Sequence, residues 1–331
     1  MAILKDIAES TGVSIRTVSR ALKGSGYVKK DVRERILETA ARMNYRPNRI
    51  AQSLRAKKSD DITLVLESTD ELHMEKMFGF ENHIREAGYR VSVIMNTDRS
   101  QNLELILNEI LDRRSAGVAF FSSGSDRNAA FTAFLTRHNL PYVCFGSEEP
   151  DIDSVVIDRP QGVYEAVKYL HSIGRQSIYY IGNGNARARH NHTRLNGFER
   201  AVSELGLESR TISTQGTLDT YSNGKQAADR FKEIKPAPDA ILAYSDLLAL
   251  GFLSGLHENR IAVPDTIALI GFDNRRASAL SWPRLTTVSQ PNREAGQAAA
   301  RILLSKINSE PPPPGGWSVK LPTSLVVRET T

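Results

Sequence analysis

Two arginines four positions apart, Arg16 and Arg20, stand in the run Ser14-Ile15-Arg16-Thr17-Val18-Ser19-Arg20-Ala21-Leu22. At about 100° per residue, a helix over 15–23 buries Val18, Ala21 and Leu22 and turns Ile15, Arg16, Ser19 and Arg20 outward on one arc. Arginine offers a planar fork of donors that matches O6 and N7 of guanine, so the pair suits base reading in a major groove. A second group of polar residues falls at the ends of strand-like runs: Glu67, Asp158, Asp246 and Asp273, with Arg194 and Gln290 elsewhere in the same half of the chain or on a connection. Other chemistries find no support. Cys144 is the single cysteine and sits in an apolar run, which excludes a disulfide framework and a zinc-thiolate site. His190 and His192 lie two apart with no acidic residue at a metal-ligand spacing. Gly182-Asn183-Gly184 follows a strand but lacks the further residues of a nucleotide loop, so neither a metal nor a cofactor is expected.

The elements needed to hold the arginines are present. Ile3, Leu4, Ile7 and Ala8 recur at helical spacing, and Thr11-Gly12-Val13-Ser14 then supplies a tight turn whose Gly12 can take positive φ and whose Ser14 can cap the second helix. Two short helices around such a turn make a helix-turn-helix. Gly24-Ser25-Gly26 breaks the second helix, and Val32, Ile36, Ala40 and Met43 stripe a third that closes a small core. After Tyr45-Arg46, Pro47 blocks extension and Asn48 can cap a further short helix carrying Arg49, Gln52 and Arg55 beside an apolar Leu54. So short a helix is marginal alone in water and is expected to order on DNA. Charge divides the same way. Residues 1–60 hold 14 basic against 6 acidic side chains, and the remainder 29 against 32, so the polyanion partner belongs to the head alone.

LKDIAESTGVSIRTVSRAL followed by NYRPNRIAQSLR resembles the head of the LacI/GalR family of repressors, over nearly all of residues 2–56 without a gap. The resemblance implies that Ile15, Arg16 and Arg20 read bases, with Ser14, Thr17, Ser19 and Tyr45 in the same DNA-contacting set. It also implies that Asn48, Arg49, Gln52, Leu54 and Arg55 form a hinge helix whose Leu54 wedges into a central base step from the minor groove. The partner it implies is double-stranded operator DNA of pseudo-palindromic sequence, gripped by a homodimer.

From Asp61 onward, strand-like runs alternate with helical stretches in two successive series, one to about residue 157 and one after Asp158-Arg159-Pro160. That rhythm predicts two doubly wound parallel-sheet subdomains with a cleft between the carboxyl ends of their strands. The fold class is therefore an N-terminal all-α helix-turn-helix domain plus an α/β body, and the body resembles the periplasmic-binding-protein fold that the family uses to hold effectors. The expected divisions are 1–46 for the head, 47–60 for hinge helix and linker, and 61–331 for effector binding and dimerisation. Within the body, about 61–158 plus 288–316 form one subdomain and about 159–287 plus 317–331 the other, with Pro311–Gly316 as the third crossing.

By the same resemblance Asp273 accepts hydrogen bonds from ligand hydroxyls, Arg194 clamps polar groups, and Leu218 stands where relatives often stack an aromatic ring on a sugar. Asp246 opens a helix and reads either as a ligand contact or as that helix's N-terminal carboxylate, and Gln290 as hinge or ligand contact. The first strand ends in Glu67-Ser68-Thr69-Asp70, without the Asn-Pro-aromatic pattern common in the family, so ligand chemistry does not carry over from a typical sugar repressor.

The expected function is a cytoplasmic, effector-controlled transcriptional regulator answering to a carbohydrate or a sugar derivative. The alternative is an effector domain that senses a non-sugar metabolite or a partner protein. A transport solute-binding protein would have no use for the basic head, an enzyme would need a constellation that is missing, and no apolar run is long enough to span a membrane.

Overall fold

Ser14 opens the helix that carries the paired arginines. The computed structural model describes residues 2–45, 59–96, 103–122, 125–183, 189–214 and 221–331, and the chain divides into two units, Met1–Ser59 and Asp60–Thr331. In the first unit, α1 (Leu4–Thr11), α2 (Ile15–Lys23) and α3 (Lys30–Arg42) surround a core of Ile7, Ala8, Val18, Ala21, Ile36 and Ala40. Gly12 takes φ 67°, the left-handed conformation that lets α1 stop and the chain reverse within a few residues. The Ser14 hydroxyl then accepts the Thr17 amide at 3.2 Å, supplying an acceptor to one of the free N–H groups at the start of α2.

The second unit is built on two six-stranded sheets. β1 (Asp61–Leu66), β2 (Arg90–Met95), β3 (Val118–Phe121), β4 (Tyr142–Phe145) and β5 (Ser154–Ile157) alternate with α4 (Glu71–Glu86), α5 (Leu103–Asp112) and α6 (Ser125–Arg137). After α7 (Arg159–Ser172) come β6 (Ile178–Asn183), α8 (Arg189–Glu204), β7 (Arg210–Thr214) and α9 (Tyr221–Asp229). β8 (Ala240–Ala243), α10 (Asp246–Glu258), β9 (Ala268–Asp273) and β10 (Thr286–Ser289) complete this second series, and α11 (Asn292–Ile307), β11 (Val319–Leu321) and β12 (Ser324–Val326) close the chain. The strand orders are β11-β5-β4-β3-β1-β2 and β12-β10-β9-β8-β6-β7. Every pairing is parallel except β10 with β12. Strands such as β3, β5, β8 and β9 are buried along their whole length, as a sheet covered by helices on both faces requires.

The chain passes between the sheets after β5, after β10 and after β11. The last of these corrects the sequence expectation. Pro311–Gly316 does not cross, because α11 before it and β11 after it both belong to the first sheet's subdomain. The crossing is Pro322-Thr323, between β11 and β12. Two residues suffice there because the edge strands of the two sheets follow one another along the chain, whereas the proline-rich stretch is an exposed surface connection.

The helices α4 and α11 approach each other through a glycine on each. A methyl group on Gly296 of α11 would overlap the carbonyl of Lys76 on α4, and one on Gly79 would overlap that of Arg293. This close crossing sets Lys76 beside Asn292, the first residue of α11. Gly296→Ala should therefore destabilise the body by about 1–3 kcal/mol through overpacking, read as a lower urea midpoint with an unchanged slope.

Candidate effector cleft and DNA-reading face

The carboxyl ends of the strands of both sheets open onto one cavity of about 250 Å³. The first subdomain contributes Glu67 beyond β1, His73 and Lys76 from α4, and Phe121 and Phe145 from the ends of β3 and β4. The second contributes Arg194 from α8, Tyr244 beyond β8, and Asp273 and Arg275 at and beyond the end of β9. Arg159 and Gln290 come from two of the crossings.

A buried ion pair occupies the second wall. Arg194 Nη2 lies 3.2 Å from Asp273 Oδ1, with only 6% and 4% of the two side chains exposed. The guanidinium is fixed between the rings of Tyr244 and Phe272, 4.2 and 4.1 Å from their centroids, and it also donates to the Tyr244 carbonyl. Asp273 Oδ1 accepts a further bond from Gln290 Nε2 at 2.6 Å, and Gln290 Oε1 accepts from Arg159 Nε at 3.0 Å. Arg275 Nε stands 3.6 Å from Asp273 Oδ2. Asp273 has φ 118°, a conformation that side-chain-bearing residues rarely adopt and that costs on the order of 1–3 kcal/mol. The contacts around the carboxylate hold it there.

The first wall is aromatic, with one buried cation. Phe121 and Phe145 stack with centroids 4.7 Å apart, and the His73 ring lies at the same distance from Phe121. His73 Nδ1 is fixed by Asp70 Oδ2 at 2.9 Å. Burial opposes the ionisation of Asp70, yet the hydrogen bond and charge of His73 outweigh it and hold the carboxyl well below the usual range. Lys76 Nζ donates to Asn292 Oδ1 at 2.6 Å and to the Leu72 carbonyl at 3.3 Å. Burial, reinforced by the positive charge of Arg159, brings this lysine down to about 7. Arg159 is lowered to about 10, first by burial and then by the charge of Arg194.

Of the residues singled out in the sequence, Glu67, Arg194, Asp273 and Gln290 meet in the cavity. Asp246 and Asp158 do not line it. Asp246 is fully buried against Gly271 of β9, accepting from Thr287 Oγ1 at 2.5 Å and from the Arg275 amide at 2.7 Å. Burial pushes it up to about 7, with the charge of Asp273 adding to the rise. Asp158 caps α7 through the Gln161 amide and pairs with Lys320 at 2.9 Å. Asp158 thus caps a helix, Asp246 ties the start of α10 to β10 and to the loop after β9, and neither lines the cavity. Leu218 lies outside the described residues. Lys76, Arg159, Arg275 and His73 were missed. Lys76 had a signal: it falls on the apolar stripe Leu72-Lys76-Phe80, four residues from each neighbour, where a cation is out of place. Arg159 had another, a cation at the first position of a helix, against the macrodipole.

In the head, Ile15 is 45% exposed, Arg16 and Arg20 are exposed, and Ser19 and Thr17 are half-buried on the same helix. Ser14 serves the cap. Tyr45 packs against the head core, and burial raises its hydroxyl. Tyr27, 86% exposed beyond the end of α2, is a further candidate that the helical pattern gave no reason to choose. Asn48, Arg49, Gln52, Leu54 and Arg55 lie outside the described residues. Among the described residues no helix is long and apolar enough to cross a membrane.

The lysine makes a pH-dependent contribution that can be measured. Unfolded, Lys76 has its ordinary value of 10.5, and folded it releases its proton near 7. The unfolded chain therefore binds more protons between those limits, so the cost of burying the charge is full below pH 7 and fades as pH rises. Lys76→Met should stabilise the protein by about 1–4 kcal/mol at pH 6, even after losing the bond to Asn292. That advantage should shrink in urea titrations toward pH 10. An advantage that grows with pH would contradict this assignment.

Comparison with known proteins places the geometry. Residues 3–48 match the lacI family of bacterial regulatory proteins, and residues 167–331 match a periplasmic binding protein-like domain. The chain is 31% identical to catabolite control protein A of Priestia megaterium, over 98% of each chain. It is 29% identical to the transcriptional repressor PurR of Aliivibrio salmonicida, over 94% of this chain and 93% of that one. A crystal structure of the Lac repressor dimer bound to operator and an anti-inducer superposes with a TM-score of 0.86 at 25% identity, covering 99% of this chain and 98% of the other. The outward arginines of α2 and the two-walled cleft thus belong to one architecture, and the chain is a member of the lacI family, a DNA-binding transcriptional regulator and not an enzyme.

Proposed function

We propose that the chain is a cytoplasmic, homodimeric operator-binding repressor whose grip on DNA is set by a small polar effector, a carbohydrate or a derivative of one. The observation that carries this reading is the cleft itself: fixed polar groups from both subdomains converge on one cavity in a chain whose head presents Ile15, Arg16 and Arg20 to solvent. A molecule touching both walls favours one degree of closure over another, which is what control of a dimer's two heads requires. The resemblance of the hinge sequence adds the wedge by Leu54, which belongs at a readily unstacked central step of a pseudo-palindrome.

A dimer has a surface available. Leu280 and Trp282 are 84% and 78% exposed on one loop of the second subdomain, large apolar side chains left mostly open to solvent. A second copy of the chain is the fitting cover, as the Lac repressor forms a dimer on its operator. The double change Leu280→Asp, Trp282→Asp should turn the dimer into a monomer in sedimentation experiments and abolish tight operator binding. A dimer that persists would put the interface elsewhere.

Base reading has a separate test. Operator fragments selected from genomic DNA by the purified protein should be bound about 10–200-fold less tightly by Arg20→Ala, equivalent to about 1–3 kcal/mol, with relaxed preference at one symmetric pair of positions. A loss of equal size on random DNA would reduce Arg20 to a phosphate contact.

A further inference from the structure

The cleft is more basic than a neutral ligand needs. Four cations line it, Lys76, Arg159, Arg194 and Arg275, against the two carboxylates of Glu67 and Asp273. Asp273 is shared between Arg194 and Arg275. Lys76 and Arg159 have no carboxylate within ion-pair distance among the described residues, and their hydrogen bonds go to neutral amide and carbonyl oxygens. The two come from opposite sides of the cavity, one on α4 of the first subdomain and the other at the start of α7 in the second. Cations gathered in a half-closed cavity repel one another, and a polyol hydroxyl leaves that repulsion in place, whereas an anionic oxygen removes it.

We propose that the effector is an anion of monosaccharide size: its carboxylate or phosphate lies between Lys76 and Arg159, and its carbon skeleton lies on the stacked rings of Phe121 and Phe145. This rests on the cleft being the effector site. The volume of about 250 Å³ falls just under the usual range for ligand pockets, which limits the molecule to a single ring or a short chain. The aromatic wall suits the C–H face of such a skeleton, and the charged groups opposite suit its acid group and hydroxyls. Because the anion joins a residue of each subdomain, it also adds attraction across the cleft.

The test uses the full-length protein at constant ionic strength, with chloride making up the balance. Inorganic phosphate and acetate serve as minimal probes, and D-glucose 6-phosphate and D-gluconate are set against D-glucose. We expect phosphate or acetate to raise Tm above the chloride reference, and the matching acid to bind at least roughly tenfold tighter than D-glucose in calorimetry. A response to phosphate alone marks a phosphate ester, and one to acetate alone a carboxylic acid. Lys76→Met, which removes a buried charge and so folds, should weaken the acid roughly tenfold or more, and Lys76→Arg should keep most of the response. Equal Tm in all three salts, or Lys76→Met responding like the unaltered protein, overturns the inference. Stabilisation by D-glucose but by neither anion also overturns it and leaves the cleft as effector site. Any response that survives both Arg194→Met and Asp273→Asn removes the cleft reading and this inference with it.

Discussion

The cleft depends on one carboxylate, that of Asp273, finding partners where it is 4% exposed. An isolated carboxylate in such a place would take up a proton instead. Asp273 is partnered by the Arg194 guanidinium and by the Gln290 amide, and Arg194 is in turn immobilised between two aromatic faces. The neighbouring Asp246 shows the other outcome. It is just as buried and receives bonds from a hydroxyl and a backbone amide but has no cation, so its affinity for a proton rises, with the charge of Asp273 contributing. Two acids a few residues from the ends of adjacent strands thus take opposite roles. One presents charge to the cavity, and the other closes the core beneath it.

The same carboxylate organises the hinge. Gln290, on the crossing from β10 to α11, bonds to Asp273 with its amide nitrogen and receives Arg159 on its oxygen. Arg159 follows the crossing from β5 to α7. The third crossing joins this set through Asp158, whose amide donates to the Leu321 carbonyl and whose carboxylate meets Lys320. The three connections are therefore bonded to one another at the base of the cavity. Closure has to turn about this base, since separating the strands there would strand buried polar groups at about 1–3 kcal/mol each.

How much of this was legible follows from how local each cause is. The head reads directly: Gly12 and Ser14 act within two or three residues of themselves, and the outward position of Arg16 and Arg20 needs only the helical period. The doubly wound body reads from its alternation of buried strands and helices. The proline-rich crossing was misplaced because proline marks a connection without saying which subdomain it joins, and that is decided by strand partners far away in the chain. The site was half legible. Asp273, Arg194 and Gln290 could be named from their neighbours, but Lys76 enters the cleft only because two helices cross through Gly79 and Gly296. Asp158 and Asp246 look alike in sequence to a ligand-binding acid, and only their hydrogen-bond partners separate them from one.

On the proposed effector reading, closing the clamshell requires a ligand because its own rim is weak. Across the mouth, Glu71 of α4 accepts the Arg276 amide at 3.1 Å and stands 3.7 Å from Arg276 Nε, on a side chain that is 92% exposed. Exposed pairs of this kind contribute about 0–1 kcal/mol. Moving a two-state equilibrium from 1:99 to 99:1 takes about 5.5 kcal/mol of differential binding. The rim cannot supply that, and the bonded base cannot either if closure turns about it with its contacts kept. The difference must come from groups that face each other only when the walls approach. Lys76 on one side and the Arg194–Asp273 pair on the other line the cavity from its two walls, each able to make charge-assisted hydrogen bonds of about 1.5–3 kcal/mol. On the effector reading proposed above, two or three of these, completed by one molecule touching both walls, reach the required range, and control resides in the side chains that face each other across the cleft.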